Sequence, residues 1–286
     1  MLYGKTTGFN YRKKEESRKR KTDMKFDMHC HTKEGSLDGK VTIEEFILEL
    51  RKKGFDGMLV TDHNTYNGYR RWKKHIKDRK YRDFTVLKGI EYDTIDAGHI
   101  LVVMPEDVKL KILELRGLPV QFLIEIVHKH GGILGPAHPC GEKYLSILNT
   151  RKHRNQLAVM DQFDFLEGFN ACEDSESNKR AKEIADQFGL PTFGGSDAHK
   201  LDCIGLAYTE FNREIHSESE LIALIREKGE DACICSGEHY DKTTKDKIGK
   251  ANNILVQSFW FYNRLCSLYR RRKRVLELKK LYIRLK

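Results

Sequence analysis

No stretch of this chain approaches the roughly 18 consecutive apolar residues that a bilayer-spanning helix requires, so no segment is expected to cross a membrane. The first residues lack an apolar core behind their basic start, and no secretory signal is expected. Cysteine is sparse: seven residues, an odd number, lie scattered at 30, 140, 172, 203, 233, 235 and 266 without a C-x-x-C pair. That excludes a zinc ribbon and argues against a disulfide framework. A 286-residue chain has ample core without staples, as one large domain or two modest ones. A reducing compartment, the cytoplasm, is the expected setting. Cys233 and Cys235 read as alternate residues of a strand. Neither a G-x-S-x-G elbow nor a Cys–His signature is present, which leaves covalent nucleophilic hydrolysis without support.

Charge is plentiful but unevenly placed. The net charge is +10, and residues 11–21 and 264–286 hold much of the excess. Basic ends beside a nearly balanced body fit contact with a polyanion, either nucleic acid or an anionic membrane surface; the alternative is that they serve solubility. Residues 1–23 are polar, basic and aperiodic, and disorder is expected there. The folded domain is expected over 24–240, and a basic helical extension over 241–286. In that extension Ile248, Leu255, Tyr262, Tyr269 and Leu276 recur every seventh position, as a docking stripe against the domain or a self-association seam. Trp260, Phe261 and Tyr262 beside it suit core packing as well as base stacking.

Between the basic ends the pattern alternates. Phe26 and Met28 alternate with Asp27 and His29, the period of a half-buried strand. A helix follows, with a T-x-x-E capping box at Thr42 and Glu45 and apolar Ile43, Phe46, Ile47 and Leu50 on one side. Strands are expected over 57–61, 85–90, 99–104, 133–137, 163–168 and 191–195, with a closing strand over 232–235. Helices are expected from Pro119 to Gly131, over 177–188, and from a second capping box at Ser217 and Glu220. The stretch from Tyr69 to Arg79 is basic and less regular. About seven apolar strands alternating with helices imply an α/β fold, a parallel sheet covered by helices.

Chemistry-bearing residues collect at the strand ends. His29 and His31 are two apart, so an extended backbone points both imidazoles the same way. Asp197 and His199 repeat that spacing. With Asp38, His63, Glu91, His99 and His138 they make six imidazoles and three carboxylates, enough for three metal sites with one carboxylate bridging. Nitrogen and carboxylate donors without thiolate suit zinc, manganese or iron. Asp62, beside His63, suits a supporting role, orienting an imidazole by hydrogen bond. Glu167 also ends a strand, where it either reaches the site or makes a structural ion pair.

The stretches HCHTKEGSLDG, TDHNT, GIE followed by AGHIL, PAHP, LEGFN and GGSDAH resemble, in order, those of the PHP family, the polymerase and histidinol phosphatase metal-dependent phosphoesterases. The resemblance implies a distorted (β/α)7 barrel with its metal site at the C-terminal strand ends. It implies one ion on His29, His31, Glu91 and Asp197, a second on Glu91, His99 and His138, and a third on Asp38, His63 and His199. Relatives usually read S-D-G at the third site, whereas here Leu37 separates Ser36 from Asp38. They often carry an arginine after the H-P dipeptide, where this chain has Cys140. Lys143, Lys200 and the Arg70–Arg71 pair are the nearest candidates to grip a phosphate. The implied function is hydrolysis of a phosphate ester, a small phosphorylated metabolite or nucleotide, by hydroxide activated on two or three divalent ions. The alternatives are a nuclease or exoribonuclease whose basic ends track nucleic acid, a carboxyl or carbamate ester hydrolase, and a non-catalytic binding module on the same scaffold.

Overall fold

The computed structural model describes residues 23–141, 145–154 and 156–241. The basic N-terminal extension up to residue 22, Lys143, the heptad stripe and the aromatic residues beside it lie outside the described residues. No described helix is long and apolar enough to cross a membrane.

Seven strands follow one another around a distorted barrel: β1 (Met24–Cys30), β2 (Gly57–Val60), β3 (Thr85–Asp93), β4 (His99–Val103), β5 (Ile133–Pro136), β6 (Leu166–Asn170) and β7 (Thr192–Gly195). The first five pair in order within one sheet, and β6 and β7 form a second. Two seams close the ring. Asp164 N–H donates to Leu134 O at 2.9 Å beside β5 and β6. At the other seam Asp197 N–H donates to His29 O at 2.7 Å, and His31 N–H to Ala198 O at 3.2 Å.

The sheet is mixed rather than parallel, a correction to the expectation. β1, β2 and β3 run parallel, but β4 runs antiparallel to both β3 and β5. Only five residues, Thr94 to Gly98, separate β3 from β4, too few for the crossover a parallel neighbour demands. One reversed strand puts the N-terminal end of β4, and so His99, at the edge where the other strands end; His99 pairs directly with Asp93. Two further strands, β8 (Ala207–Phe211) and β9 (Cys233–Gly237), extend the sheet antiparallel beyond β1. β8 has no counterpart among the expected strands; its polar alternate residues hid it. Cys233 and Cys235 lie on β9, both buried. No disulfide joins the cysteines among the described residues.

Helices form where periodicity and caps coincide. In α1 (Ile43–Lys52) Thr42 Oγ1 accepts from Glu45 N–H while Glu45 accepts from Thr42 N–H, and Ile43, Phe46, Ile47 and Leu50 are buried. At α5 (Glu218–Lys228) one arm of the expected box forms: Ser217 accepts from Glu220 N–H, but the Glu220 carboxylate turns to His216 N–H at 2.7 Å. α3 (Val120–Lys129) and α4 (Ser175–Phe188) match the pattern, and Gly189 ends α4 in the left-handed region. The basic stretch after Tyr66 is also helical, α2 (Asn67–His75), because Tyr69, Trp72 and Ile76 line one side and bury against α1 and the sheet.

One buried cluster takes Phe26 and Met28 from β1, Leu59 from β2, Leu87 from β3, Leu101 from β4, Ile133 from β5 and Phe193 from β7. Glu91 shares a face of β3 with Leu87 and pairs with Leu101. Its carboxylate therefore ends an apolar column, buried among imidazoles.

Candidate metal centre

The nine residues singled out from the sequence converge on one edge of the barrel. β1 supplies His29 and the residue just past its end His31, the segment after β2 His63, β3 Glu91, β4 His99, the segment after β5 His138, and the segment after β7 Asp197 and His199. Asp38 reaches in from the loop after β1, with Oδ2 at 3.3 Å from His199 Nε2 and 3.6 Å from His63 Nε2. The extra residue beside it causes no displacement, because the Leu37 side chain stands entirely in solvent (103% exposed).

Donor atoms of His29, His31 and Asp197 gather at one point, and Glu91 borders them with a different oxygen toward each histidine. His29 Nε2 and His31 Nε2 are 3.1 Å apart. Glu91 oxygens lie 3.4 Å from the first and 3.3 Å from the second, and Asp197 Oδ1 lies 3.5 and 3.1 Å from them. A tetrahedral site with ligand bonds of about 2.1 Å has donor–donor edges of about 3.4 Å. Glu91 Oε1 also lies 2.8 Å from His99 Nδ1 and 3.3 Å from His138 Nε2. One carboxylate thus borders two donor sets. Donor atoms of His31, His63 and His199 make a further group, as do those of His63, Glu91 and His99.

The distal ring nitrogens are tied down. His29 Nδ1 contacts Glu167 Oε1 at 2.8 Å, His199 Nδ1 the Asp197 carbonyl at 2.9 Å, and His138 Nδ1 Ser146 Oγ at 3.2 Å. Ser36 Oγ donates to Asp62 Oδ1 at 3.1 Å, which leaves its lone pairs to accept from His31 Nδ1–H and His63 N–H, both at 3.2 Å. The carboxylate on His29, the carbonyl on His199 and the Ser36 hydroxyl on His31 each put the proton on Nδ1 and turn a bare Nε2 into the cluster. Asp62 therefore acts on an imidazole through Ser36; directly it holds the Thr32 amide, the Thr32 hydroxyl and the Gly68 amide.

Electrostatics follow from burial among opposite charges. Burial would raise the Glu91 carboxyl, but His99, His63 and His29 hold it well below the usual carboxylate range. Burial and His29, His31 and His199 act on Asp197 in the same opposed way, with the same low result. Burial, with His199 and His63 adding to it, pushes His31 down to about 3, a neutral imidazole. His29 goes the other way: Glu167, Asp197 and Glu91 overcome its burial. A divalent ion would compete with a proton for the Nε2 lone pair that faces His31, Glu91 and Asp197. His63 Nδ1, Glu91 Oε2 and Asp93 Oδ1 are buried without any hydrogen bond, which a coordinated cation would remedy.

Strain is concentrated at this edge. Asp197 (φ 50°), His138 (φ 32°) and Asn64 (φ 53°) sit in the left-handed region without being glycine. His138 is held by its N–H on Glu167 Oε2 at 2.6 Å. Of the phosphate-gripping candidates, Arg70 is engaged by Glu114, Lys200 follows His199 on the rim, and Lys143 is outside the described residues. Sequence reasoning missed Asp93, which lies 3.3 Å from His99 Nε2 and 3.6 Å from His63 Nδ1, and whose other oxygen holds Arg116 at 2.9 Å. Its signal was available: Asp93 follows Glu91 by two on one strand, the spacing of His29 and His31.

A barrel of this topology with buried imidazoles around a shared carboxylate defines a metal-dependent hydrolase fold. The PHP domain model matches residues 27–194, and a PHP-associated model matches 175–228. The chain belongs to the PHP family, whose members are metal-dependent hydrolases. It is 25% identical over 259 residues to an uncharacterized protein of Methanocaldococcus jannaschii, covering 86% of this chain and 92% of that one. It is 23% identical over 218 residues to the DNA polymerase/3'-5' exonuclease PolX of Bacillus subtilis, covering 63% of this chain and 35% of PolX. Among solved structures, PsfC from Pseudomonas syringae superposes with a TM-score of 0.56 at 17% identity, covering 83% of this chain and 99% of that one. Endonuclease Q, solved with a duplex carrying an abasic lesion, superposes at 0.55 and 18% identity, covering 72% and 57%. Both are likenesses of fold.

Proposed function

We propose that the chain hydrolyses phosphate esters with divalent metal ions held at the strand ends, in a catalytic unit spanning residues 24–240. The observation that carries this is the group of His29, His31 and Asp197 with Glu91 against both histidines, whose donor spacings of 3.1–3.5 Å suit a shared ion. Glu91 would bridge to a second ion on His99 and His138, and Asp38, His63 and His199 would hold a third. Manganese, zinc and iron fit donors that are all imidazole and carboxylate. Such ions supply Lewis acidity toward phosphoryl oxygens and a water of lowered pKa.

The protein's own residues prepare that chemistry. Glu167, Ser36, Ser146 and the Asp197 carbonyl fix four imidazoles with Nε2 inward. Asp93 orders His99, with Arg116 on its outer oxygen. Lys200 on the rim would meet the anionic substrate. Described cysteines without a disulfide fit a reducing, cytoplasmic setting.

The test is metal analysis of protein purified without chelator, followed by a screen of phosphorylated metabolites, nucleotides, short RNAs and carboxyl esters with manganese supplied. At least two equivalents of metal, and phosphoester turnover abolished by His29→Ala with His31→Ala, are expected. Under one equivalent, or turnover that survives the double substitution, rejects the reading. Turnover confined to carboxyl or carbamate esters moves the chain to the other hydrolase class.

A further inference from the structure

The outer face of α2 carries an unusual density of unneutralised cations. Between Arg70 and Arg82 the chain reads RRWKKHIKDRKYR. Tyr69, Trp72 and Ile76 turn inward, and Arg71, Lys73, Lys74, Lys77 and Arg79 are exposed. At 100° per residue Arg71, Lys73 and Lys74 fall on the arc opposite the buried stripe, and Lys77 and Arg79 follow in the turn just beyond the helix. Several basic side chains elsewhere on the described surface come with carboxylates: Arg51 with Asp83, Lys52 with Glu49, Lys152 with Asp96, Arg213 with Glu227. Even at the ends of this stretch, Arg70 meets Glu114 and Lys80 meets Glu44. Arg71, Lys73, Lys74 and Arg79 make no ion pair among the described residues, and Lys77 lies over the Trp72 ring at 5.4 Å. The local field registers on His75: desolvation, then the charges of Arg71, Lys74 and Arg79, hold its imidazole below the ordinary value.

Position gives the patch its meaning. α2 starts four residues after His63, and its first turn is anchored to the site by Gly68 N–H on Asp62 Oδ2 at 3.0 Å. The cationic arc therefore begins at the rim of the metal centre and runs away from it. A nine-residue helix is about 13 Å long, about the rise of four phosphates along one strand of a duplex.

We propose that this arc binds the sugar–phosphate backbone of a nucleic acid and leads the strand to the metal centre, so that the substrate is a polynucleotide. The proposal rests on the phosphoester reading above and narrows its substrate class. A membrane surface fits less well, because an interfacial helix must present an apolar face, and that face of α2 is already buried in the core. Arginine and lysine without carboxylate partners are what phosphate neutralisation uses, and nothing in the arc reads base identity.

The test uses the full-length protein and a fluorescein-labelled 20-nucleotide strand, single and annealed, titrated across a range of salt. Relative to wild type, Lys73→Gln, Lys74→Gln, Lys77→Gln and Arg79→Gln together should weaken binding at least about tenfold. They should also reduce the slope of log affinity against log salt by about 3, since each phosphate left unneutralised takes roughly 0.7–0.9 from it. Turnover of an aryl phosphate should be unchanged, since none of the four touches the metal centre. A control with Lys109→Gln, Lys111→Gln, Lys129→Gln and Lys179→Gln removes equal charge elsewhere and should leave most of the slope intact. The proposal fails if the α2 variant keeps wild-type affinity and slope, if both variants lose binding equally, or if wild type binds phosphatidylserine vesicles but no nucleic acid. Absence of any phosphoester turnover, with binding still weakened in the α2 variant, would reject the hydrolase reading and leave the surface standing.

Discussion

Replacing Glu167 by glutamine tests whether the metal centre depends on imposed tautomers. Glu167 accepts three hydrogen bonds: His29 Nδ1–H on Oε1 at 2.8 Å, and His138 N–H at 2.6 Å and Asn170 Nδ2 at 3.1 Å on Oε2. A glutamine has one acceptor oxygen and one NH2 donor. The better orientation keeps the oxygen on the two donors at Oε2, which sets the NH2 against His29 Nδ1. His29 must then give up its Nδ1 proton and carry one on Nε2, the atom that faces His31, Glu91 and Asp197. A protonated Nε2 cannot ligate. Loss of such a supporting partner weakens metal binding by about 10–100-fold, about 1.4–2.7 kcal/mol. The upper end is expected here, because the tautomer is reversed rather than merely released. The assay is competitive titration of manganese against a fluorescent chelator, with metal per protein counted after gel filtration. Aryl phosphate turnover should fall with occupancy. A variant with unaltered metal affinity that only melts earlier would show Glu167 to be a structural ion pair and refute the tautomer argument.

Asp38→Asn should remove one ion and leave the His29–His31 cage loaded, read as a drop of one in metal stoichiometry; loss of all metal would contradict separate sets. Leu37→Ser should change stability by under about 0.5 kcal/mol in urea unfolding, since the side chain is wholly solvated. Gly195→Ala should destabilise by about 1–3 kcal/mol and abolish activity, because a Cβ there collides with the backbone and Cβ of His29. For pH, burial is the largest influence on Glu218 and raises its carboxyl while it accepts the Lys88 amide proton at 2.5 Å. A raised carboxyl is favoured protonated in the fold, so its contribution is full below the ordinary glutamate value and is lost as pH rises through the folded value. Glu218→Gln should therefore gain stability over wild type at pH 8 and lose that advantage by pH 4, followed by urea unfolding.

The strand-end logic that exposed His29 with His31, and Asp197 with His199, applied equally to Glu91 with Asp93. Asp93 was overlooked because the motif resemblance stopped at Glu91. The reversed β4 was also legible: a five-residue connection forbids a parallel neighbour. The pairing of Glu167 with His29 was not, since 138 residues separate them and only the closed ring brings the two strand ends together. α2 escaped because its charges mask the inward spacing of Tyr69, Trp72 and Ile76. Whether the basic ends act as expected concerns residues outside those described.

The seam between β1 and β7 joins the two ends of the barrel by hydrogen bonds from Asp197 to His29 and from His31 to Ala198, and three of these four residues, His29, His31 and Asp197, would share an ion. Donors so far apart in the chain meet only after every strand between them has found its place. Coordination is then a late event in folding, and an ion bound there acts as a clasp on the whole circuit. Metal occupancy would report on the integrity of strands that never touch it, and stripping the ion would loosen the barrel first where its two ends meet.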